Sequence, residues 1–363
     1  MAGIESKKAA TAVICLSHHT GGMELAATKL ANNLSKFIDV TYIIKENTFI
    51  HKQCRTNPDY LQLKYETIDF STTLLSPSII FSVRKIVKEN HIKNVIFVGA
   101  SEMKSLYFAF LGLDINLIVR HGTIKKHPKK DWFHTLVYSN VSTHVAISKY
   151  MSSNVKEIIP FGKDTMLTVI VPSLAKDISK LKQTESDVLR LLHAGRVTSG
   201  KGIDKAILAC EILYKNSIEF HFDNFGPADP KYAKQLEELL SSIDYKDKIH
   251  INGFTDRIYD EYPKHDIFIF PTPDEGYGNV MMEAISHGII VLAFDNTAIS
   301  NFGEMGFHIH LVEDQNLSAL KERLLTIAKN LKIEKELSFA NIEKAKVVFA
   351  PSREVNQYLE LLV

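Results

Sequence analysis

The chain reads VLRLLHAGRVTSGKG over residues 188–202. The apolar residues at its start are typical of a buried strand, and the glycines that follow allow a tight turn. The helical spacing of apolar residues over 203–214 comes directly afterwards. A strand, a glycine-containing turn and a helix in this order form the first half of a β-α-β unit. The stretch therefore predicts the start of a parallel sheet.

The same alternation extends in both directions along the chain. Strands are predicted at 11–17, 39–45, 94–99, 116–121, 141–148 and 166–171, and again at 188–196, 218–225, 248–255, 267–271, 289–294 and 307–312. Helices are predicted at 23–36, 78–90, 102–112, 203–214, 231–242, 279–287 and 317–331. Such alternation is typical of an α/β chain with parallel sheets.

The polar stretch 173–187 separates the two series, and a chain of 363 residues is long enough for two domains. We predict a Rossmann-like N-terminal domain over 1–172, a linker over 173–187 and a Rossmann-like C-terminal domain over 188–345. Residues 346–363 are predicted to form a C-terminal helix that packs back on the N-terminal domain. Ligands are expected at the carboxyl ends of the strands, where the two domains face a central cleft.

Composition excludes several classes of protein. The chain is 45% hydrophobic and 23% charged, which is typical of a globular protein and excludes a disordered one. No uninterrupted apolar run reaches the roughly 20 residues that span a bilayer, and the N-terminus lacks the apolar core of a secretion signal. We therefore expect a cytoplasmic protein. The three cysteines are far apart, which favours buried thiols over disulfides or a zinc site.

The distribution of charge is uneven although the net charge is +1. Residues up to Pro172 carry a net charge of +8, and the remainder carries −7. The densest basic run lies at 120–134 and contains Lys125, Lys126, Lys129 and Lys130 beside Trp132. This run is interpreted as a solvated loop, as a contact to anionic lipid headgroups or to an acceptor, or, least favoured, as a nucleic-acid contact.

Two turns carry features of phosphate binding. Gly21 and Gly22 lie at the junction of the first strand and helix, where backbone N–H groups and the helix dipole favour an anion, although two glycines also make an ordinary turn. Arg196 and Lys201 flank the glycines of the turn quoted above. An Arg fork and a Lys charge suit a diphosphate, and Lys201 opposes the helix dipole unless it meets an anion.

A third turn carries two carboxylates in the run PTPDEGYGNVMMEAISHG over 271–288. Glu275 ends the turn, and Glu283 lies eight positions later in the next helix. Paired carboxylates at a cleft can accept hydrogen bonds from the hydroxyls of a sugar or a ribose. The alternative for Glu283, among apolar neighbours, is a structural pair with Arg or Lys.

These turns, together with the segments 225–227 and 251–254, resemble the C-terminal domain of the retaining GT-B glycosyltransferases of family 4. That family has a Gly-Arg…Lys-Gly turn, a Gly-Pro turn and a Glu-Gly-Phe-Gly motif followed by a second Glu. The resemblance covers about half the chain well. The N-terminal half resembles the family more thinly, at Gly21–Glu24, His121–Gly122 and Ala146–Ser148.

The resemblance implies roles at the matching positions. Arg196 and Lys201 would hold the diphosphate of a nucleotide-sugar donor, Glu283 its ribose and Glu275 its sugar. The turn 252–257 with Phe254 would bind the base, and Gly22 would bind the diphosphate. His121 would lie beside the sugar and the acceptor. The sugar and phosphate would also be bound by the backbone amides of Gly276, Tyr277, Gly278, Asn279 and Val280. The N-terminal domain would bind the acceptor.

The resemblance further implies transfer with retention and without a metal or other cofactor, because two cations and helix N-termini would stabilise the leaving diphosphate. We expect a UDP-linked hexose or N-acetylhexosamine, with GDP-mannose as the alternative. The expected acceptor is a glycan or lipid-linked glycan of lipopolysaccharide or another bacterial surface polysaccharide, reached at the cytoplasmic face of the inner membrane. A sugar-nucleotide epimerase or hydrolase of the same fold and a non-catalytic glycan-binding protein remain alternatives.

The sequence also departs from the family. Residues 172–176 and 296–300 lack its Pro-Asn-Gly-Val-Asp and Gly-Gly-x-x-Glu motifs. No role in donor specificity is therefore assigned to the second loop.

Overall fold

The computed structural model describes residues 8–19, 21–174, 188–255 and 257–363. This part of the chain divides into two compact units, whose bounds fall at Ala175 and Ala350. Unit 1 contains the residues before the first bound together with Pro351–Val363, and unit 2 contains the residues between the bounds. Most of the predicted linker, 175–187, lies outside the described residues.

Unit 1 is built on a parallel sheet of seven strands in the order β3-β2-β1-β4-β5-β6-β7. The strands are β1 Thr11–Cys15, β2 Val40–Lys45, β3 Tyr65–Ile68, β4 Asn94–Val98, β5 Asn116–His121, β6 Val141–Ala146 and β7 Met166–Val169. The helices between them are α1 Gly22–Ser35, α2 Phe49–Thr56, α3 Pro77–Glu89, α4 Met103–Phe110, α5 Trp132–Tyr138 and α6 Lys149–Ile158.

Unit 2 is built on a parallel sheet of six strands in the order β10-β9-β8-β11-β12-β13. The strands are β8 Leu189–Ala194, β9 Phe220–Phe225, β10 Ile249–Ile251, β11 Ile267–Phe270, β12 Ile290–Asp295 and β13 His310–Glu313. The helices are α7 Ile203–Ala209, α8 Glu211–Lys215, α9 Pro230–Ser241, α10 Ile258–Glu261, α11 Asn279–Ser286, α12 Ser300–Glu304, α13 Leu317–Lys329, α14 Leu331–Phe339 and α15 Asn341–Val348.

Both sheets have the doubly wound order of a Rossmann fold, so the predicted pair of Rossmann-like α/β domains is confirmed. The strand order reverses between β1 and β4 in unit 1 and between β8 and β11 in unit 2. In open α/β sheets ligands bind at the carboxyl ends of the strands beside this reversal. The loops after β8 and β11 are therefore the first place to look for a site in unit 2.

The sequence-based assignment has specific errors. It lacks β3 and the helices α2, α5, α6, α10, α12, α14 and α15. Strand β3 has the sequence YETI and is largely accessible at the sheet edge, so it carries no run of apolar residues. The single helix predicted over 203–214 is interrupted at Cys210, which ends α7 and precedes α8.

Helix α16, Pro351–Leu359, belongs to unit 1. Val355 and Tyr358 are part of the same apolar core as Val13 and Leu30, so the helix closes one face of the sheet of unit 1. Proline has no backbone N–H and is favoured in the first turn of a helix, and Pro351 begins α16. The unit boundary consequently follows α15, later than the predicted boundary at 345.

A buried carboxylate fixes α16 to unit 1. Glu354 is 2% exposed and accepts a hydrogen bond of 3.0 Å from the backbone N–H of Ser173. Its other neighbour is the ammonium group of Lys29, at 3.6 Å. Burial would raise the pKa of Glu354, but the charges of Lys29 and Arg120 outweigh burial and leave the pKa below its usual value. Glu354 therefore joins α1, α16 and the segment after β7 while it stays ionised.

The three cysteines are free and buried, as the sequence predicts. Among the helices of the described ranges, none has both the length and the apolar character needed to cross a bilayer.

Candidate donor site

The turn after β8 is shaped by Gly202. This residue has φ +67°, and a Cβ placed on it would lie 2.0 Å from the carbonyl oxygen of Pro271. Only glycine fits both the left-handed backbone and this close approach. The turn between β8 and α7 is thus pressed against the start of the loop that follows β11.

Lys201 and Glu275 form an ion pair across these two loops. Their side chains are 23% and 20% exposed, so both groups remain accessible to a ligand. The backbone N–H of Glu275 donates to the hydroxyl of Thr297 at 3.3 Å, which fixes the loop on its other side. Strands β8 and β11 are neighbours at the reversal of strand order, and that is why residues 74 positions apart meet.

A buried histidine, His193, contacts the backbone of the turn between β8 and α7. The Nε2 atom of His193 lies 3.0 Å from the carbonyl oxygen of Lys201, and the amide of Asn224 contacts its Nδ1 atom at 2.8 Å. Burial lowers the pKa of His193 to about 4. The ring is therefore neutral at pH 7, with its Nε2–H donating to Lys201 and its Nδ1 accepting from Asn224. His193 lies inside the decisive sequence stretch, yet only the backbone contact identifies its role.

Arg196 is exposed at the same turn. Within the described part of the chain, its guanidinium group forms neither a hydrogen bond nor an ion pair. A positive group that is accessible and unpaired, beside a paired Lys201, can accept an anion without first breaking a contact. The turn can thus supply two cations to one anionic ligand.

The loop after β11 ends at Gly278, which has φ +90° and precedes the first residue of α11. Tyr277 is buried against the ring of Phe302, with 5.1 Å between centroids. Gly276, Asn279 and Val280 are partly exposed at this helix start. Their backbone groups lie where a helix N-terminus favours anionic and hydroxyl ligands. The predicted amide-binding run is therefore at the start of α11, beside Glu275.

Glu283 lies in α11 and is partly buried. Its carboxylate accepts hydrogen bonds from the hydroxyls of Tyr262, at 2.9 Å, and Tyr259, at 3.4 Å. Burial and the neighbouring charge of Glu283 raise the pKa of Tyr262. The sequence did not predict these two contacts, because Tyr259 and Tyr262 are 24 and 21 positions away from Glu283 along the chain. The carboxylate of Glu283 therefore accepts hydrogen bonds from two tyrosine hydroxyls.

Phe254 lies in the loop after β10, and its side chain is 71% exposed. The predicted turn 252–257 contains Asp256, which lies outside the described residues. No described contact joins Phe254 to Lys201, Glu275 or Glu283. Its role at the base remains a prediction.

In unit 1, Gly22 begins α1 directly after the predicted glycine turn. The adjacent carboxylate of Glu24 is buried at 3% exposure, and its Oε2 atom would lie 3.1 Å from a Cβ placed on Gly21. A side chain at Gly21 would therefore crowd this carboxylate.

His121 ends β5 and is buried in a cluster with His144 and Lys125. Its Nε2 atom lies 2.9 Å from Nδ1 of His144, and its Nδ1 atom lies 3.0 Å from the ammonium nitrogen of Lys125. Burial, helped by the charge of Lys125, lowers the pKa of His121 well below its usual value. The pKa of His144 falls to about 4 for the same two reasons. His121 is thus a neutral imidazole at pH 7.

The structure divides the predicted basic surface in two. Burial lowers the pKa of Lys125 to about 8 and also lowers that of Lys129. Lys126 and Lys130 are exposed, and Trp132 is 79% exposed. Lys125 contacts His121, whereas Lys126, Lys130 and Trp132 remain available to an external surface.

Part of the sequence is similar to known glycosyltransferases. Residues 189–330 match the family model of glycosyl transferases group 1. An uncharacterised glycosyltransferase of Haemophilus influenzae is 21% identical over 72% of this chain and 74% of its own length. The amylovoran biosynthesis glycosyltransferase AmsK of Erwinia amylovora is 27% identical over 41% of this chain and 38% of its own length.

Solved structures share the fold over nearly the whole chain. A glycosyltransferase from Rickettsia africae superposes with a TM-score of 0.82 at 18% identity and covers 98% of this chain and 97% of its own. HepE of Anabaena, solved in complex with UDP and glucose, superposes with a TM-score of 0.79 at 15% identity over 97% of this chain and 98% of its own. The expected GT-B fold is confirmed.

Proposed function

We propose that the chain is a retaining glycosyltransferase. The match of residues 189–330 to the glycosyl transferases group 1 model supports this proposal. The donor is a UDP-linked hexose or N-acetylhexosamine. The enzyme transfers this sugar to a glycan acceptor in the synthesis of a bacterial surface polysaccharide. The observation that carries the proposal is the accessible Lys201–Glu275 pair at the reversal of strand order in unit 2. Lys201 would bind the anionic diphosphate of a nucleotide-sugar, and Glu275 would accept hydrogen bonds from the hydroxyls of its sugar.

The charges of unit 2 suit the departure of a diphosphate. The bond between the anomeric carbon and the diphosphate oxygen breaks, and that oxygen takes the electron pair. Lys201 and Arg196 stabilise the resulting negative charge. The acceptor hydroxyl forms the new bond on the same face of the sugar, and its proton passes to the leaving diphosphate. Glu275 orients the sugar by accepting hydrogen bonds from its hydroxyls, and Glu283 does the same for the ribose.

The retaining course without a metal is part of the proposal. Retention by double displacement would require a carboxylate nucleophile on the opposite face of the sugar. A same-face reaction needs only stabilisation of the leaving group, and two cations and the start of α11 supply it. Turnover is therefore expected without added Mg²⁺ or Mn²⁺.

The choice of UDP has support from similar proteins. HepE was solved with UDP and glucose, and relatives in Streptococcus are UDP-N-acetylglucosamine–peptide N-acetylglucosaminyltransferase subunits. Calorimetry would test the choice, since tight binding of GDP without binding of UDP would favour GDP-mannose instead.

The acceptor is proposed to be a glycan or lipid-linked glycan that unit 1 binds. The amylovoran biosynthesis glycosyltransferase AmsK and the putative colanic acid biosynthesis glycosyltransferase WcaL of Salmonella typhimurium support a role in polysaccharide biosynthesis. The exposed Lys126, Lys130 and Trp132 are proposed to contact an anionic membrane, at the cytoplasmic face of the inner membrane. Neutral His121 is proposed to lie beside the donor sugar and the acceptor.

Donor turnover with and without acceptor glycans tests the reaction class. We expect UDP release to rise strongly with the acceptor, and the product to keep the α configuration of the donor by proton NMR. Equal UDP release without acceptor would instead show a hydrolase, and conversion of the donor to another sugar-nucleotide would show an epimerase. Donor or glycan binding without turnover would leave a glycan-binding protein.

A further inference from the structure

Unit 2 contains a second cluster of polar side chains at His308, His310 and Glu334. The Oε2 atom of Glu334 lies 2.9 Å from Nε2 of His308 and 2.9 Å from Nε2 of His310. The three candidate ligand atoms lie within 4.8 Å of one another. Two imidazole nitrogens and a carboxylate oxygen therefore lie close enough together to ligate one ion.

The fold holds these side chains in place. His310 begins β13, and Glu334 lies in the first half of α14. His308 is fixed through its backbone by the side chain of Asn341, which accepts from its N–H at 2.8 Å and donates to its carbonyl oxygen at 2.8 Å. The cluster thus joins a strand, the segment before it and a helix, all within unit 2.

The electrostatics of the cluster favour a cation. In the described ranges, the only groups paired with Glu334 are the two histidines, so no Lys or Arg competes for its carboxylate. Two imidazoles and a carboxylate are a ligand set that zinc takes in proteins.

We propose that His308, His310 and Glu334 bind a zinc ion. Zinc takes imidazole nitrogen at about 2.0–2.1 Å and carboxylate oxygen at about 2.0–2.2 Å, commonly with four ligands in a tetrahedron. Each imidazole presents the Nε2 lone pair to the ion when its proton is on Nδ1. The side chains of His310 and Glu334 are 8% and 15% exposed, whereas that of His308 is 36% exposed. Solvent on the His308 side supplies the fourth ligand.

The proposed ion is separate from the donor site. His310 lies at the amino end of β13, and parallel strands place their amino ends at the sheet edge opposite to the loops that carry Lys201 and Glu275. The ion therefore stabilises unit 2 by joining α14 to β13 and does not take part in transfer. Because it binds the folded chain, it raises the melting temperature with increasing zinc concentration.

Calorimetry of the chelator-treated full chain with zinc chloride tests the proposal, and the absorption spectrum with Co²⁺ checks the ligands. We expect one ion per chain, a rise of several degrees in Tm, and loss of both in the double variant His308→Ala/His310→Ala. The matched control is His221→Ala/His250→Ala, which removes a stacked pair of histidines from the same unit with 5.6 Å between ring centroids. The control should bind zinc as the wild type does.

A conservative variant keeps the test decisive if the double variant does not fold. Glu334→Gln retains an oxygen that accepts a histidine N–H but removes the negative charge, and we expect zinc affinity to fall by at least about tenfold. Equal zinc binding by the wild type and Glu334→Gln, or binding by the wild type no stronger than by the double variant, would overturn the proposal. The cluster would then be a hydrogen-bonded network alone.

Discussion

The two units share the same sheet design but differ in the exposure and pairing of the polar side chains at the carboxyl ends of their strands. In unit 2, Lys201 and Glu275 are partly exposed and paired with each other, and Arg196 is unpaired in the described chain. In unit 1, His121 is buried and faces His144 and Lys125. The first arrangement suits an incoming anion, whereas the second keeps a base neutral and fixed in place. The same sheet design therefore carries an accessible charged pair in unit 2 and a buried, neutral imidazole in unit 1.

The largest expected effect concerns the stability of unit 1. Glu354→Gln removes the buried negative charge that faces Lys29 and Arg120, and we expect unit 1 to lose about 3–5 kcal/mol because these buried cations lose their counter-charge. Hydrogen exchange measured by mass spectrometry should show faster exchange in β5 and no change in β11. Glu343→Gln, in an ion pair with Lys346 on α15, is the exposed control. If Glu354→Gln left the hydrogen-exchange rates of both units at their wild-type values, the role assigned to Glu354 would be contradicted.

The next effect concerns catalysis in unit 2. Lys201→Ala and Glu275→Ala should each lower kcat by roughly a hundredfold or more, because each removes one preorganised group that stabilises charge or orients the sugar. Steady-state assays with saturating donor measure this. Lys205→Ala, in α7 directly after the turn, is the matched control and should remain close to wild type. If the folded Lys201 and Glu275 variants also turned over normally, the pair would be structural.

A smaller effect appears in the pH dependence of both units. The pKa of His144 in unit 1 and of His193 in unit 2 is about 4 in the folded chain, below the usual 6.5. Between these values the unfolded chain binds more protons, so stability falls as pH decreases from 6.5 towards 4. Each histidine contributes a slope of order 1 kcal/mol per pH unit.

The slopes are assigned by variants. His144→Gln should flatten the pH dependence of unfolding in unit 1, and His193→Gln should do so in unit 2, both read by urea denaturation with hydrogen exchange. A steep, unchanged slope in either variant would show that another group is responsible.

The smallest effect concerns the surface of unit 1. Lys126→Glu/Lys130→Glu should release the chain from anionic liposomes, since each lysine near such a surface adds about 1 kcal/mol. Donor binding should not change. The interaction should weaken with salt, because the Debye length is about 8 Å at physiological ionic strength. If the wild type fails to sediment with these liposomes at low salt, a soluble acceptor is favoured.

Local sequence indicated the loops of the candidate site in unit 2, but not the contacts of Tyr259 and Tyr262 with Glu283 or the buried contacts of unit 1. The glycines, Arg196, Lys201, Glu275 and Glu283 lie in short runs next to predicted strands, and the strand order brings two of these runs together. The contacts of His121 with His144, and of Glu354 with Lys29 and Ser173, join distant parts of the chain. Such contacts depend on packing, which no local spacing encodes. The edge strand β3 was missed for a related reason, since exposure removes the apolar pattern of a strand.

Calorimetric titration with UDP tests the central claim, that unit 2 binds the donor diphosphate through the turn at Lys201. UDP lacks the sugar that is transferred, so the account predicts unchanged affinity in His121→Ala and Lys205→Ala. In Lys201→Ala it predicts a loss of at least about tenfold, the effect of one charge-assisted contact. Wild-type affinity in Lys201→Ala, or a loss in His121→Ala alone, would contradict it.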